Sequence, residues 1–382
     1  MLIHYHLRSL TKRPTRTALT VVSIALAVFV SISMLSLVRG LVSSLEATGH
    51  PLNLVVLTRG AETLEFSSVD RRVFEILRQN QYIAVDGDTA LASPEFYYTS
   101  LLEAERGDAP PAQAIIRGVL PVALAVHHQV KLTEGRFPET SGEIMAGSLA
   151  ATRTGLPRNS LQIGDTVRFD GNEWLIVGRF AAPGTAFDSE IWAPLDDVML
   201  SSRRDELSGI VVRARDAAAV DEFLFDLQLR ADLLVYARAE TDYYAGFAAA
   251  YRPVQAMVWA MAGLLTVGGI FIGMNTFLAS ITGRIREVGV LRTLGFRRPA
   301  ILGGFVLESL IPALAGGVIA CLAAWGLDGF ALRVPMGAFR LQFDLTVAAT
   351  GMLLSVLIAL GGGAWPLWRA ARIRTVDAIR HR

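Results

Sequence analysis

Four long runs without a charged residue constrain this chain more than any other feature. Residues 17–38, 253–283, 309–327 and 345–368 contain no Asp, Glu, Lys or Arg, and the third run is preceded by the apolar stretch 301–307. A membrane-crossing helix needs about 20 such residues, because the hydrocarbon core is about 30 Å thick and a helix rises about 1.5 Å per residue. A soluble protein would have to bury all four as core helices, and composition argues against that. Of 382 residues, 52% are hydrophobic and 19% charged, whereas soluble domains carry about 25% charged residues. We therefore read an α-helical membrane protein with four transmembrane helices. The spans are 17–40, 253–283, 299–327 and 345–368, and a large α+β domain, 41–250, is inserted between helices 1 and 2.

The first span follows Arg8, Lys12, Arg13 and Arg16, as a signal peptide would. Its apolar stretch is too long for the 7–15 residues of a cleaved signal, and no small-x-small site ends it, so it reads as a retained anchor. Within 1–16, Leu2, Ile3, His6, Leu7 and Leu10 fall at helical spacing, which suits a cytoplasmic amphipathic helix at the interface.

Orientation follows from the arginine and lysine bias beside the spans. The loop 284–298 carries five arginines against Glu287, and the tail 369–382 carries five against Asp377. Residues 41–250 instead hold 18 Lys/Arg and 30 Asp/Glu, a net of −12. Both termini are thus expected on the cytoplasmic side of the membrane. The inserted domain and a short loop, 328–344, are then expected outside. Within the domain, the turn Asp170-Gly171-Asn172 predicts a hairpin over 161–180. The segments 55–57, 96–98, 210–213 and 235–236 read as strands, and 69–77 and 217–229 as helices. Two α+β lobes fit that alternation.

Several chemistries are excluded or weakly supported. A P-loop needs Gly-Lys-Ser/Thr to meet phosphates. The only lysines are Lys12, after Thr11, and Lys131, after Val130. Cys321 is the single cysteine, so no internal disulfide can form. No HExxH or GxSxG occurs. His127-His128 fits a solvated surface pair better than a metal site, which needs further ligands at fixed geometry. Asp86-Gly87-Asp88 reads as a turn rather than a calcium loop. Carboxylates are plentiful in the inserted domain, but no pair stands out. The net charge of +1 points to no nucleic-acid partner. Gly269 and Gly273 form a GxxxG, and Gly316-Gly317 is a second small pair. Such residues let helices approach closely, within one subunit or across a dimer seam.

The loop after the second span is the informative piece. Ile281, Ile285, Val288, Leu291 and Leu294 recur at three- and four-residue spacing, so one helical face is apolar, and Gly295 and Pro299 punctuate its end. Such a helix either lies on lipid headgroups or enters a groove of a cytoplasmic partner. The run Arg286-Glu287-Val288-Gly289-Val290-Leu291-Arg292-Thr293-Leu294-Gly295 resembles the coupling segment of MacB/FtsX-like ABC transporter permeases. So do the opening 7–20, the segment Phe305-Val306-Leu307-Glu308-Ser309, the tail 366–380, Glu134-Gly135-Arg136-Phe137 and Ile163-Gly164-Asp165-Thr166-Val167. Val288 stands where isoleucine is usual.

The resemblance implies a four-span permease that transmits mechanical motion and is not itself an enzyme. Ile285, Arg286, Glu287, Val288, Gly289, Leu291, Arg292, Leu294 and Gly295 would dock on a separate cytoplasmic ABC ATPase dimer. That dimer, not this chain, would hold ATP and Mg, and no cofactor or metal is expected here. A second copy or a sibling permease would complete the membrane part, with a membrane-fusion or outer-membrane partner beyond it. Export or extraction of a lipoprotein, peptide, drug or glycolipid is implied. The alternative is a non-transporting FtsX-like regulator of a cell-wall hydrolase; a third reading, a membrane-anchored enzyme, needs a clustered polar site in the outer lobes.

Overall fold

Strand burial explains why the inserted domain holds together. The computed structural model describes residues 14–104, 110–157, 159–282, 298–334 and 337–372. Ten strands share one hydrogen-bonded sheet: β1 Asn53–Thr58, β2 Ala92–Ala104, β3 Ala112–Val119, β4 Lys131–Gly135, β5 Glu143–Gly147, β6 Thr166–Phe169, β7 Asn172–Ala181, β8 Glu190–Pro194, β9 Gly209–Arg213 and β10 Val235–Ala239. Their order is β10-β1-β9-β2-β3-β8-β5-β7-β4, with β6 pairing β2 and β7. β8 runs parallel to β3 and β5 parallel to β7; the other pairs are antiparallel.

The two lobes expected from the sequence are therefore one sheet, and the reason is the 13-residue length of β2. Its first part pairs with β9, from Ala92 to Glu95, and its second with β3, from Phe96 to Leu102. β1 lies between β10 and β9 and is buried on both faces. Leu54 and Val56 face one cluster, with Val73 and Leu77 of helix α2 (Arg71–Leu77) and Ala219, Phe223 and Leu227 of α3 (Ala217–Leu229). Val55 and Leu57 face another, with Leu41, Leu45, Tyr243 and Tyr244. Both helices begin at an aspartate: Asp70 accepts from the Arg72 amide and Asp216 from the Ala219 amide, a cap worth typically about 1 kcal/mol. Burying Phe223 adds about 1.5–3 kcal/mol.

The hairpin expected over 161–180 is β6 and β7, turning at Asp170-Gly171. Asp86-Gly87-Asp88 lies in a smaller hairpin, Val85–Asp86 with Thr89–Ala90. The short outer loop expected at 328–344 also differs. Ala331–Val334 and Gly337–Arg340 form a hairpin that belongs to the inserted domain. Its Phe339 enters the cluster of Leu41, Leu45 and Tyr243, because an apolar ring is more stable there than in water.

The second compact unit is helical. It contains most of α1 (Pro14–Thr48), then α5 (Arg252–Thr282), α6 (Arg298–Trp325) and α7 (Leu345–Arg372); α4 (Glu240–Ala250) belongs to the inserted domain. Among the described residues four helices are long and apolar enough to cross a membrane: Thr17–Thr48, Arg252–Leu278, Gly303–Trp325 and Leu345–Pro366. α1 outruns the span assigned to 17–40. Leu41 and Leu45 continue its apolar spacing into the domain's second cluster, and the Thr48 hydroxyl donates to the Ser44 carbonyl at 2.7 Å. In the helical unit Ile24, Val28 and Ile32 meet Ala313, Ala320, Val347 and Ile358. On α1's opposite face Leu19, Val22 and Leu26 are exposed, as lipid contact requires. Arg39 bridges Asp344 at 2.9 Å. Asp344 also accepts from the Val347 amide and so caps α7.

Candidate functional site

The residues expected to meet an ATPase, Ile285, Arg286, Glu287, Val288, Gly289, Leu291, Arg292, Leu294 and Gly295, lie outside the described residues. The glycines expected at helix seams are described. A Cβ on Gly269 would stand 2.9 Å from the Ile358 side chain, and Gly273 lies 3.5 Å from the Gly362 Cα by the same measure. Gly316 approaches the backbone of Val21 and Ala25, and Gly317 the Ser355 hydroxyl at 2.6 Å. These four glycines thus let α5 approach α7, and α6 approach α1 and α7, within one chain.

The inserted domain holds a buried charge cluster that sequence spacing did not reveal. Side chains alternate across a strand, so Glu95 and Tyr97 of β2 share a face, as do Glu190 and Trp192 of β8. Register sets Arg117 of β3 opposite Tyr97 on one side and Trp192 on the other. The Arg117 guanidinium donates from Nε and Nη2 to both Glu190 oxygens at 2.7 Å and from Nη1 to Glu95. Trp192 Nε1 also donates to Glu190, at 2.8 Å. His127, after the short helix Ala123–Val126, sets Nε2 2.6 Å from Glu95 Oε1. Its Nδ1 has no hydrogen bond and stands 3.6 Å from Glu240 Oε1. Glu240 Oε2 accepts from the His50 amide and from Asn53 Nδ2, both at 2.9 Å. Asn53 Oδ1 in turn accepts from Arg213 Nε at 3.0 Å.

The solvated pair expected at His127-His128 is thus half wrong: His128 is exposed, but His127 is fully buried. Its partner carboxylate explains why. Burial pushes Glu95 upward, yet His127 and Arg117 together outweigh it and hold it down to about 2. Burial opposes the charge on Arg117, but Glu190 and Glu95 raise it well above its ordinary value. For Glu240 burial wins and its pKa is raised, with His127 and the donors on His50 and Asn53 opposing only in part. Burial, then Arg213 and His128, push His50 down to about 4. The one signal in the sequence was charge inside apolar strand runs, as in Ala114-Ile115-Ile116-Arg117-Gly118-Val119.

A groove of about 580 Å³ borders β1 and α2 and is lined by Arg59, Asp70, Arg72, Glu206 and Asp232 above Val73. Its charges are largely engaged locally: Asp232 with Arg230, Asp70 with Arg72 and Glu206 with Ser68. Among the described residues no three His, Cys, Asp or Glu side chains are placed to hold a metal ion.

Four membrane-length helices with a large α/β domain between the first and second define a multi-pass membrane protein of the permease type. Two family models fix the assignment. Residues 17–229 match the MacB-like periplasmic core domain and residues 259–375 the FtsX-like permease C-terminal domain. The chain belongs to the MacB/FtsX-like family of ABC transporter permeases. It is 25% identical over 399 residues to the macrolide export ATP-binding/permease protein MacB of Nitrobacter winogradskyi, covering 97% of this chain and 59% of that one. It is 29% identical over 237 residues to MacB of Chlorobium luteolum, covering 58% and 35%. The uncharacterized ABC transporter permease YknZ of Bacillus subtilis is 27% identical over 232 residues, 57% of each chain. The chain thus spans between about a third and three fifths of the length of these relatives. Among solved structures, the periplasmic region of MacB from Actinobacillus actinomycetemcomitans superposes with a TM-score of 0.41 at 12% identity, covering 53% of this chain and 94% of that one.

Proposed function

We propose that the chain is the membrane subunit of an ABC transporter whose ATP and Mg are bound by a cytoplasmic nucleotide-binding dimer outside these 382 residues. The observation that carries this reading is the pairing of both family domains with no P-loop. In this reading the segment 284–295 docks on the ATPase, and two permease copies, or this chain and a sibling, receive its closing motion. The inserted domain stands outside a bacterial inner membrane and works on the substrate there, with an outer partner beyond it. Spans almost free of charge support movement of packed helices rather than an ion-lined path. The relatives named as macrolide exporters favour export, of a drug, peptide, lipoprotein or glycolipid, over regulation of a hydrolase.

The test is copurification with the ATPase, followed by Leu291→Asp. If Val288, Leu291 and Leu294 fill an apolar groove, the aspartate buries an unpaired charge, which costs several kcal/mol. Pull-down and ATPase stimulation should then be lost while membrane insertion persists. Arg286→Ala and Glu287→Ala, at a solvated rim, should be milder. An aspartate variant that still binds and stimulates the ATPase overturns the docking assignment. ATP hydrolysis by the chain freed of every partner overturns the subunit reading.

A further inference from the structure

Three carboxylates, two guanidiniums and one imidazole meet inside the inserted domain, and a single proton decides their balance. Glu95, Glu190 and Glu240 are negative when ionised, and Arg117 and Arg213 supply two positive charges. The group is neutral only when one more proton sits on His127 or Glu240. Exposure is 0% for Glu95 and His127, 1% for Glu240, 2% for Arg117 and 3% for Glu190, while Arg213 is half-buried, so water reaches the group only at its Arg213 edge. His127 Nε2 is already committed to Glu95. The place left for the proton is the 3.6 Å space between His127 Nδ1 and Glu240 Oε1.

The position of Glu240 gives that proton a mechanical consequence. Glu240 is the first residue of α4, and α5 begins at Arg252, directly after α4 ends. His50 lies just beyond the end of α1 at Thr48. The two segments touch: a Cβ on Gly49 would stand 2.7 Å from Thr241 Cα and 2.9 Å from the Glu240 carbonyl oxygen. Only a glycine permits backbones that close. The Glu240 carboxyl then fastens them by accepting the His50 amide.

We propose that Glu240 is a proton-controlled clasp between the segment that follows α1 and the segment that begins α4, closed while the His127–Glu240 pair keeps its proton and released when that proton leaves. The groups facing Glu240 are His50 beyond α1, Asn53 on β1, Glu95 on β2, His127 after the short helix Ala123–Val126, Arg213 on β9 and Tyr244 on α4 itself. A buried carboxylate left without its balancing proton is strongly disfavoured. The amides of α4's first turn favour the anion only weakly by comparison. The cheaper course is for the carboxylate to turn to water and release His50. The raised pKa of Glu240 agrees in sign. A group that binds its proton more tightly in the closed form stabilises that form fully below the ordinary carboxylate pKa. The contribution declines as pH rises from there through the raised value.

The test compares the full chain in lipid nanodiscs with Glu240→Gln, a neutral isostere that keeps the acceptor oxygen. Infrared difference spectra of the wild type between low and high pH should contain a protonated-carboxyl band that fades as pH rises and is missing in the variant. Hydrogen exchange over 48–54 and 240–246, corrected for its intrinsic pH dependence, should lose protection by up to about tenfold per pH unit between the ordinary carboxylate pKa and the raised value, and level off above it, because release is linked to one proton. The variant's protection should stay level. Wild-type protection that is independent of pH overturns the clasp, even where the variant fails to fold. So does a wild-type profile that the variant reproduces.

Discussion

Removing Arg117 strands two carboxylates, Glu95 and Glu190, inside the sheet, whereas Glu143, buried but held also by the Glu139 and Thr140 amides, keeps donors when Arg136 is removed. Arg117 has 2% of its side chain exposed and Arg136 49%, and that difference decides the outcome. Breaking a buried pair by deleting one partner costs about 3–5 kcal/mol, while water screens the outer pair. Arg117→Met should therefore lower the stability of the inserted domain by about 3–5 kcal/mol near neutral pH, followed by thermal unfolding. The loss should shrink toward acid, where the stranded carboxylates take up protons. Arg136→Gln should cost clearly less, because Glu143 keeps its two amide donors and a neutral glutamine can still donate, and equal effects of the two would show that the cluster is not a coupled one. None of this was legible residue by residue. Glu95, Arg117 and Glu190 come from three strands, and only the register of β2, β3 and β8 brings them to one face. His127 misled because a histidine pair in a polar sequence looks solvated, while its burial depends on Glu95, 32 residues away.

Elements with a strong period were easier to read. The helix 217–229 has the bounds its spacing predicts, with Ala219, Phe223 and Leu227 inward, and β6 and β7 flank the expected turn. β5 and β8 escaped because they are buried almost throughout and so lack alternation, which is the signal that sequence carries for a strand. The glycines of the helical unit are also unequal, although the sequence shows them alike. A Cβ on Gly362 would stand 3.0–3.1 Å from the backbone of Gly273 and Met274, which cannot rotate away, whereas Gly268 has open space around it. Alanine in place of a helical glycine ordinarily gains about 0.5–1 kcal/mol. Gly268→Ala should keep that gain, and Gly362→Ala should reverse it, since overpacking costs about 1–3 kcal/mol. Melting in detergent separates them. A Gly362→Ala protein as stable as Gly268→Ala would mean that α5 and α7 do not meet at this seam.

At the scale of the whole molecule, charge is partitioned along the chain, and the partition sets the expected side of each part. The inserted residues 41–250 carry a net of −12, while the segments at 1–16, 284–298 and 369–382 are rich in arginine. Cytoplasmic flanks of membrane helices keep their arginines and lysines, so the inserted domain is expected to face outward and the 284–298 loop inward. The single cysteine makes this measurable. After Cys321→Ser, a cysteine at Glu173, whose side chain is 65% exposed, gives a one-site probe of the domain. Its ion pair with Arg168 is solvated on both sides, so the substitution disturbs little. A membrane-impermeant maleimide should label Glu173→Cys in spheroplasts with intact inner membranes, and should label Arg286→Cys only after permeabilisation. The converse pattern would put the domain in the cytoplasm and remove the loop from reach of any ATPase. Labelling of both before permeabilisation would break the link between arginine bias and side for this chain, and with it the four-span order drawn from the same runs.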